Sequence, residues 1–301
     1  MPGSDRTSLY ALIGNPVTQS LSPFIMNYVF EQGNMNAVYA AFGIRRDLLD
    51  VAVSGLFSMG ASGANVTYPY KEEILYHLDI VSSDAELAQA VNTLVFTDDE
   101  IHGYNTDAPG TAAAIETFTD VGVEGRSAFI YGCGGSARAG AFGLLERGAA
   151  RVTFCARSAE SAEMTVERYR YAFPEQTIDF VPLLDPDARV ARRECFRTAD
   201  IVINATPVGM SGVVEGCLIE DATWIRRDQC LFDFVYHPSQ TPFLELGRRA
   251  GAHTLGGIAL LVSQALESFR LWTDESFDTR ELAAMIETFS HPPRQSGKGV
   301  N

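Results

Sequence analysis

The chain has 301 residues, 46% hydrophobic and 20% charged, an ordinary globular composition with length enough for two domains. Its net charge of -15 excludes a broad positive field, so neither nucleic acid nor an anionic membrane is expected as a partner, and any anionic ligand must be held by local donors. Five scattered cysteines (Cys133, Cys155, Cys195, Cys217, Cys230) exclude a disulfide framework and a zinc site, and no secretory or membrane-spanning segment is visible, so a soluble cytoplasmic protein without a metal is expected.

The first predicted element is the apolar strand "LYALIG", closed by Gly14-Asn15-Pro16. "SLSP", Ser20 to Pro23, then leads into a helical pattern of Phe24, Met26, Asn27 and Phe30. One of Ser20 and Ser22 suits an N-cap, and the other hydroxyl would be available to a ligand carboxylate. The sequence leaves both readings open. Next comes "GANVTYPYK", a period-2 strand with Asn65, Thr67 and Pro69 on one side, then a turn, Lys71, and a helix opening on Glu72 and Glu73.

"AVNT" and "GYNTD" place Asn92 and Asp107 beside strand-like segments. Such residues are most often turn formers. Together with Lys71, Asn65 and Thr67, however, they would stand at the strand ends of one α/β unit, where open sheets bind ligands. A lysine beside an aspartate can exchange a proton with an oxygen during hydride transfer. The domain junction is expected within Asp107 to Gly110, before the helix "TAAAIETF".

A second α/β unit begins with the apolar strand "SAFIYG", which runs into Gly132-Cys133-Gly134-Gly135-Ser136-Ala137-Arg138 and a helix. Strand, glycine turn and helix in this order let the backbone and helix N-terminus receive a pyrophosphate, although a glycine turn can also be merely structural. "RVTFCAR", "ADIVINAT" and "QCLFDFVY" supply further buried parallel strands. The first of these ends in Arg157-Ser158 where an NAD site would carry an acid, which favours NADP, with NAD left open. A long apolar helix, "IALLVSQALESFRLWT", and a shorter one follow, and the tail at 291–301 is expected to be disordered.

Seven segments, "IGNPVTQSLSP", "GANVTYPYKEE", "AVNTLV", "GYNTD", "GCGGSAR", "INATPVGM" and "GGIALLVSQAL", resemble the shikimate dehydrogenase family in order and spacing from Leu9 to Phe289. The resemblance implies an α/β fold of two domains. These are a substrate-binding catalytic domain, 1–108, completed by helices from 256–290, and a Rossmann-type NADP-binding domain, 109–255, with the active site between them. It implies NADP-dependent reversible reduction of 3-dehydroshikimate to shikimate in the aromatic amino-acid pathway. By the same match Lys71 and Asp107 are the catalytic pair, Ser20 and Ser22 hold the substrate carboxylate, and Asn65, Thr67, Asn92, Tyr236 and Gln264 bind the rest of the ring acid. Gly132, Gly134, Gly135, Ser136, Ala137, Arg157, Ser158, Thr206, Pro207, Val208 and Gly257 are the implied cofactor contacts.

The chain departs from the family at several places. A second basic residue is usual in the adenosine-phosphate clamp, but Ser161 stands at or near its position. Ala259-Leu260 replaces a Gly-Met pair, and Ala108 follows the aspartate in place of glycine. Quinate or an amino analogue of shikimate is the alternative substrate, and a non-catalytic dinucleotide-binding paralogue the remaining alternative. Monomer and homodimer are both left open.

Overall fold

The computed structural model describes residues 6–18 and 20–290, which form two six-stranded sheets; the tail expected to be disordered, 291–301, lies outside the described residues. The first part runs β1 (Ser8–Gly14), α1 (Ser22–Gln32), β2 (Ala37–Gly43), α2 (Leu49–Ser58), β3 (Gly63–Val66), β4 (Ile80–Val81), α3 (Ser83–Ala88), β5 (Thr93–Phe96), β6 (Ile101–Tyr104) and α4 (Asp107–Phe118). The second runs β7 (Ser127–Tyr131), α5 (Gly135–Glu146), β8 (Arg151–Ala156), α6 (Ala159–Ala172), β9 (Thr177–Pro182), α7 (Arg189–Thr198), β10 (Ile201–Asn204), β11 (Cys230–Asp233), α8 (Pro242–Ala250) and β12 (His253–Leu255). Two helices close the chain, α9 (Gly257–Thr273) and α10 (Thr279–Ser290).

The first sheet has the order β2-β1-β3-β5-β6-β4, parallel except at β5, which runs antiparallel to β3 and β6. From Tyr10 onward β1 is buried on both faces, which is why it carries no charged or strongly polar side chain there. Ala11 and Ile13 join Leu49, Val53 and Ile74 on one side, while Tyr10 and Leu12 join α1, α9 and α10 on the other. Two of the three helices on that face, α9 and α10, therefore come after the second sheet in the chain.

The second sheet is wholly parallel, in the doubly wound order β12-β11-β10-β7-β8-β9. Its strand order reverses between β7 and β10, so the glycine turn after β7 and the loop after β10 flank the switch point, where such sheets receive ligands.

α4 joins the two parts. The junction expected at 108/109 falls within its first turn, because the helix begins at Asp107 and not at Thr111. α4 packs on α9 on one side and α5 on the other. The contact with α5 is close enough that a Cβ built on Gly143 would lie 1.8 Å from the Ala108 carbonyl oxygen.

Candidate active site

The first wall of the site is built where β3, β5 and α4 converge. β3 stops at Val66, so Thr67 lies past the strand end and not within the longer strand expected to Pro69. The chain turns through Lys71 into a short 3-10 helix, Glu73–His77, where a helix was expected. The Lys71 carbonyl accepts a hydrogen bond from the Val91 N–H at 2.8 Å, which ties this turn to the segment carrying Asn92.

Lys71 Nζ stands 2.5 Å from Asp107 Oδ2, with side-chain exposures of 22% and 7%. Asn92 Nδ2 donates to Asp107 Oδ1 at 2.9 Å. The orientation of that amide is set by the Thr106 backbone N–H, which can only donate and does so to Asn92 Oδ1 at 2.8 Å. The carboxylate is thus gripped on both oxygens, one by a cation and one by a fixed amide.

The remaining expected substrate residues border the same cleft of about 590 Å3. Ser20 Oγ donates to Ser22 Oγ and accepts the Ser22 N–H, both at 3.2 Å. Leu21 holds the N-cap position of α1 without a side-chain cap, so Ser20 meets the backbone from one residue further out. Thr67, Tyr236 and Gln264 also line the cleft. Burial pushes the Tyr236 hydroxyl above its ordinary range.

Asn65 reaches the cleft, yet its amide is already engaged. Nδ2 donates to Asn92 O, Thr93 Oγ1 and Ser268 Oγ at 2.9–3.1 Å, and Oδ1 accepts from Tyr39 at 2.8 Å. Ser268 also bonds Thr93 and Thr106. This buried cluster ties β2, β3, β5 and α9 beneath the lysine–aspartate pair. Tyr39 and Ser268 carry no local sequence signal for it, since they meet Asn65 from 26 and 203 positions away.

The second wall is the glycine turn. Gly132 has φ +107, a conformation that side chains disfavour, and it lies beside Thr206 and the Ala205 carbonyl. α5 begins at Gly135 after Gly134 in extended conformation, with no side chain capping its first turn. The first-turn N–H groups of a 12-residue helix therefore face the cleft side of the turn without an internal acceptor, which fits a pyrophosphate. Gly134, Gly135, Ser136 and Gly257 line the cleft itself.

Arg157 is exposed just beyond β8, at the strand end where an acid would mark NAD. Ser158, expected to touch the cofactor, N-caps α6 by accepting the Ser161 N–H at 3.2 Å. Ala137 is fully buried. Thr206 and Val208 belong to a loop wound around Asn204, whose Oδ1 accepts from Thr206 N and Oγ1 and whose Nδ2 donates to Val208 O and Asp233 Oδ1. Pro207 is exposed on this loop. Asp233, fully buried, accepts from Thr241, Asn204 and the Val235 N–H, and burial pushes its carboxyl up to about 6. Met210 and Phe234 line the cleft beside Tyr236.

Among the described residues no cluster of His, Cys, Asp and Glu could hold a metal ion, and no helix is long and apolar enough to cross a membrane. With hydride exchange suited to one wall of the cleft and proton transfer to the other, the division of labour is that of a dinucleotide-dependent dehydrogenase.

Residues 12–94 match the family model of the shikimate dehydrogenase substrate binding domain. The chain is 36% identical over 272 residues to the NADP(+) shikimate dehydrogenase of Caldanaerobacter subterraneus subsp. tengcongensis, covering 90% of this chain and 94% of that one. Its identity to the corresponding enzyme of Methanothermobacter thermautotrophicus is also 36%, over 282 residues, with 92% and 95% covered. The chain belongs to the shikimate dehydrogenase family. Its fold is similar to that of the Listeria monocytogenes shikimate 5-dehydrogenase solved with shikimate and NAD (TM-score 0.85, 29% identity, 95% and 98% covered). It is also similar to the Corynebacterium glutamicum quinate dehydrogenase solved with NAD (TM-score 0.82, 26% identity, 94% and 99% covered).

Proposed function

We propose that this chain catalyses the reversible NADP-dependent reduction of 3-dehydroshikimate to shikimate, a step of aromatic amino-acid biosynthesis. The observation that carries the reading is the Lys71–Asp107 pair, 2.5 Å apart at the cleft and opposed by the uncapped first turn of α5. When bound, the dinucleotide supplies or accepts the hydride. Lys71 delivers the proton to the oxygen of the carbonyl being reduced and takes it back from the hydroxyl in the other direction. Asp107 holds the ammonium in place, and Asn92 holds Asp107.

Ser20 and Ser22 hold the acid's carboxylate with neutral donors, consistent with the lack of a basic patch in a chain of net charge -15. Thr67, Gln264 and Tyr236 orient the ring, and Asn65 shapes the floor more than it donates, its amide being engaged. Arg157 supports a preference for the 2′-phosphate of NADP. Residues 109–255 form the dinucleotide domain in this reading, and residues 1–108 with 256–290 the substrate domain. Five cysteines free of disulfides favour the cytoplasm.

The test is a steady-state assay oxidising shikimate, quinate and an aminoshikimate with NADP and with NAD. Fast turnover confined to shikimate with NADP is expected. Preference for quinate or the amino acid would move the substrate assignment, and no turnover with any pair would overturn the reading.

A further inference from the structure

Arg138 lies in the glycine motif, yet its side chain turns away from the helix it belongs to. It is 10% exposed and spans the seam between the two walls of the cleft. Nε donates to Ala88 O at 2.6 Å and Nη2 to Gln89 O at 3.4 Å, both at the C-terminal end of α3, where Gln89 has turned left-handed and the helix carbonyls have lost their partners. Nη1 donates to Cys133 O at 3.1 Å inside the glycine turn. Nη2 also pairs with Glu72 Oε1 at 2.7 Å, and Glu72 is the residue after Lys71.

One planar cation thus grips the turn offered to the dinucleotide, the end of α3, and the residue next to the proton-transfer lysine. A second contact supports the same register, because Gly135 lies against Ala90, where a Cβ would stand 3.0 Å from the alanine's own. The segment from Ala88 to Val91 is in turn bonded to the Lys71 carbonyl. Burying a guanidinium is costly unless its donors are met, and here they are met by two carbonyls and a carboxylate across the seam and one carbonyl of its own turn. Lysine could not reproduce this fork.

We infer that Arg138 is a positioning residue, one that sets the register between the glycine turn and Lys71, with Glu72 as its partner on the lysine side. This inference rests on the reading of Lys71 as the proton-transfer group. Rates of well-oriented reactions fall about a hundredfold for misplacements near 1 Å, so loosening this seam should act on turnover before it acts on ring-acid binding.

The experiment compares the parent, Arg138→Lys and Glu72→Ala in shikimate oxidation, with thermal melts of each. Glu72 is 62% exposed, so its removal leaves the fold in place. For Arg138→Lys a fall in kcat of about tenfold or more is expected with KM for shikimate within about twofold, and for Glu72→Ala a smaller fall of the same pattern. A raised KM with unchanged kcat, or a lowered melting temperature with unchanged kinetics in both variants, would overturn the inference. An inactive parent would instead strike at the proposed reaction itself.

Discussion

Replacing Lys71 by alanine removes the ammonium 2.5 Å from Asp107 Oδ2 and leaves the surrounding backbone bonds, including Val91 N to Lys71 O, in place. Asp107 retains its bond from Asn92 and gains access to water through the vacated side-chain volume, so the stability loss should stay at about 1–2 kcal/mol. The kinetic loss is larger. A positioned proton-transfer group contributes about a hundred- to ten-thousand-fold to rate. At 1.36 kcal/mol per decade that is about 3–5 kcal/mol of barrier, carried almost wholly by kcat. KM for shikimate should remain within about threefold, because the proton moves only in the transition state. The assay is steady-state shikimate oxidation followed by NADPH absorbance, beside calorimetric binding of shikimate. A variant within about threefold of the parent in kcat would remove Lys71 from the chemistry.

Arg157→Ala should weaken NADP far more than NAD, measured as the ratio of their KM values; equal effects would show that the guanidinium does not meet the 2′-phosphate. Gly143→Ala should destabilise the protein by about 3 kcal/mol or more in a thermal melt, since the new Cβ meets the Ala108 carbonyl at 1.8 Å and outweighs the helix-propensity gain of about 1 kcal/mol. A raised melting temperature would contradict the close α4–α5 contact. The raised carboxyl of Asp233 makes a signed prediction. Folded protein holds that proton up to about pH 6 and the unfolded chain releases it near 3.8, so the group's contribution is complete below 3.8 and lost as pH rises through about 6. The parent should therefore gain up to roughly 3 kcal/mol on Asp233→Asn between pH 7 and pH 4 in chemical denaturation, and parallel pH profiles would refute the assignment.

The elements legible in the sequence were those whose local pattern matches their surroundings. β1, β7, β8, β10 and β11 are buried on both faces and read as continuous apolar runs, and the glycine turn is bounded by a strand and a helix. β2 carries little local signal because it is an edge strand whose Val38 and Phe42 are exposed, which leaves Tyr39 as its one fully buried side chain. The lysine–aspartate pair was legible through motif order. Its supporting cluster was not, because Tyr39, Asn65 and Ser268 come together only through the packing of β2, β3 and α9. Arg138 was visible as the last letter of a motif, but its acceptors are mostly backbone carbonyls, which leave no trace in residue identity. Ser158 was legible only as a hydroxyl: the structure adds that its oxygen caps α6, a role that leaves its O–H free to donate.

The order in which the chain leaves the ribosome gives one of these packing arrangements a further meaning. Tyr10, Leu12, Met26, Val29 and Phe30 are synthesised early, but the surfaces that cover them come from Ile258, Val262, Phe269, Leu282 and Ile286. The second sheet, by contrast, has all its strands within residues 127–255 and completes itself while that early apolar face still waits. A nascent chain halted before α9 would present a finished dinucleotide domain beside an open hydrophobic surface, the kind of intermediate that invites chaperone capture or aggregation. Destabilising substitutions in α9 or α10 should accordingly lower soluble yield more than their cost in the finished protein would suggest.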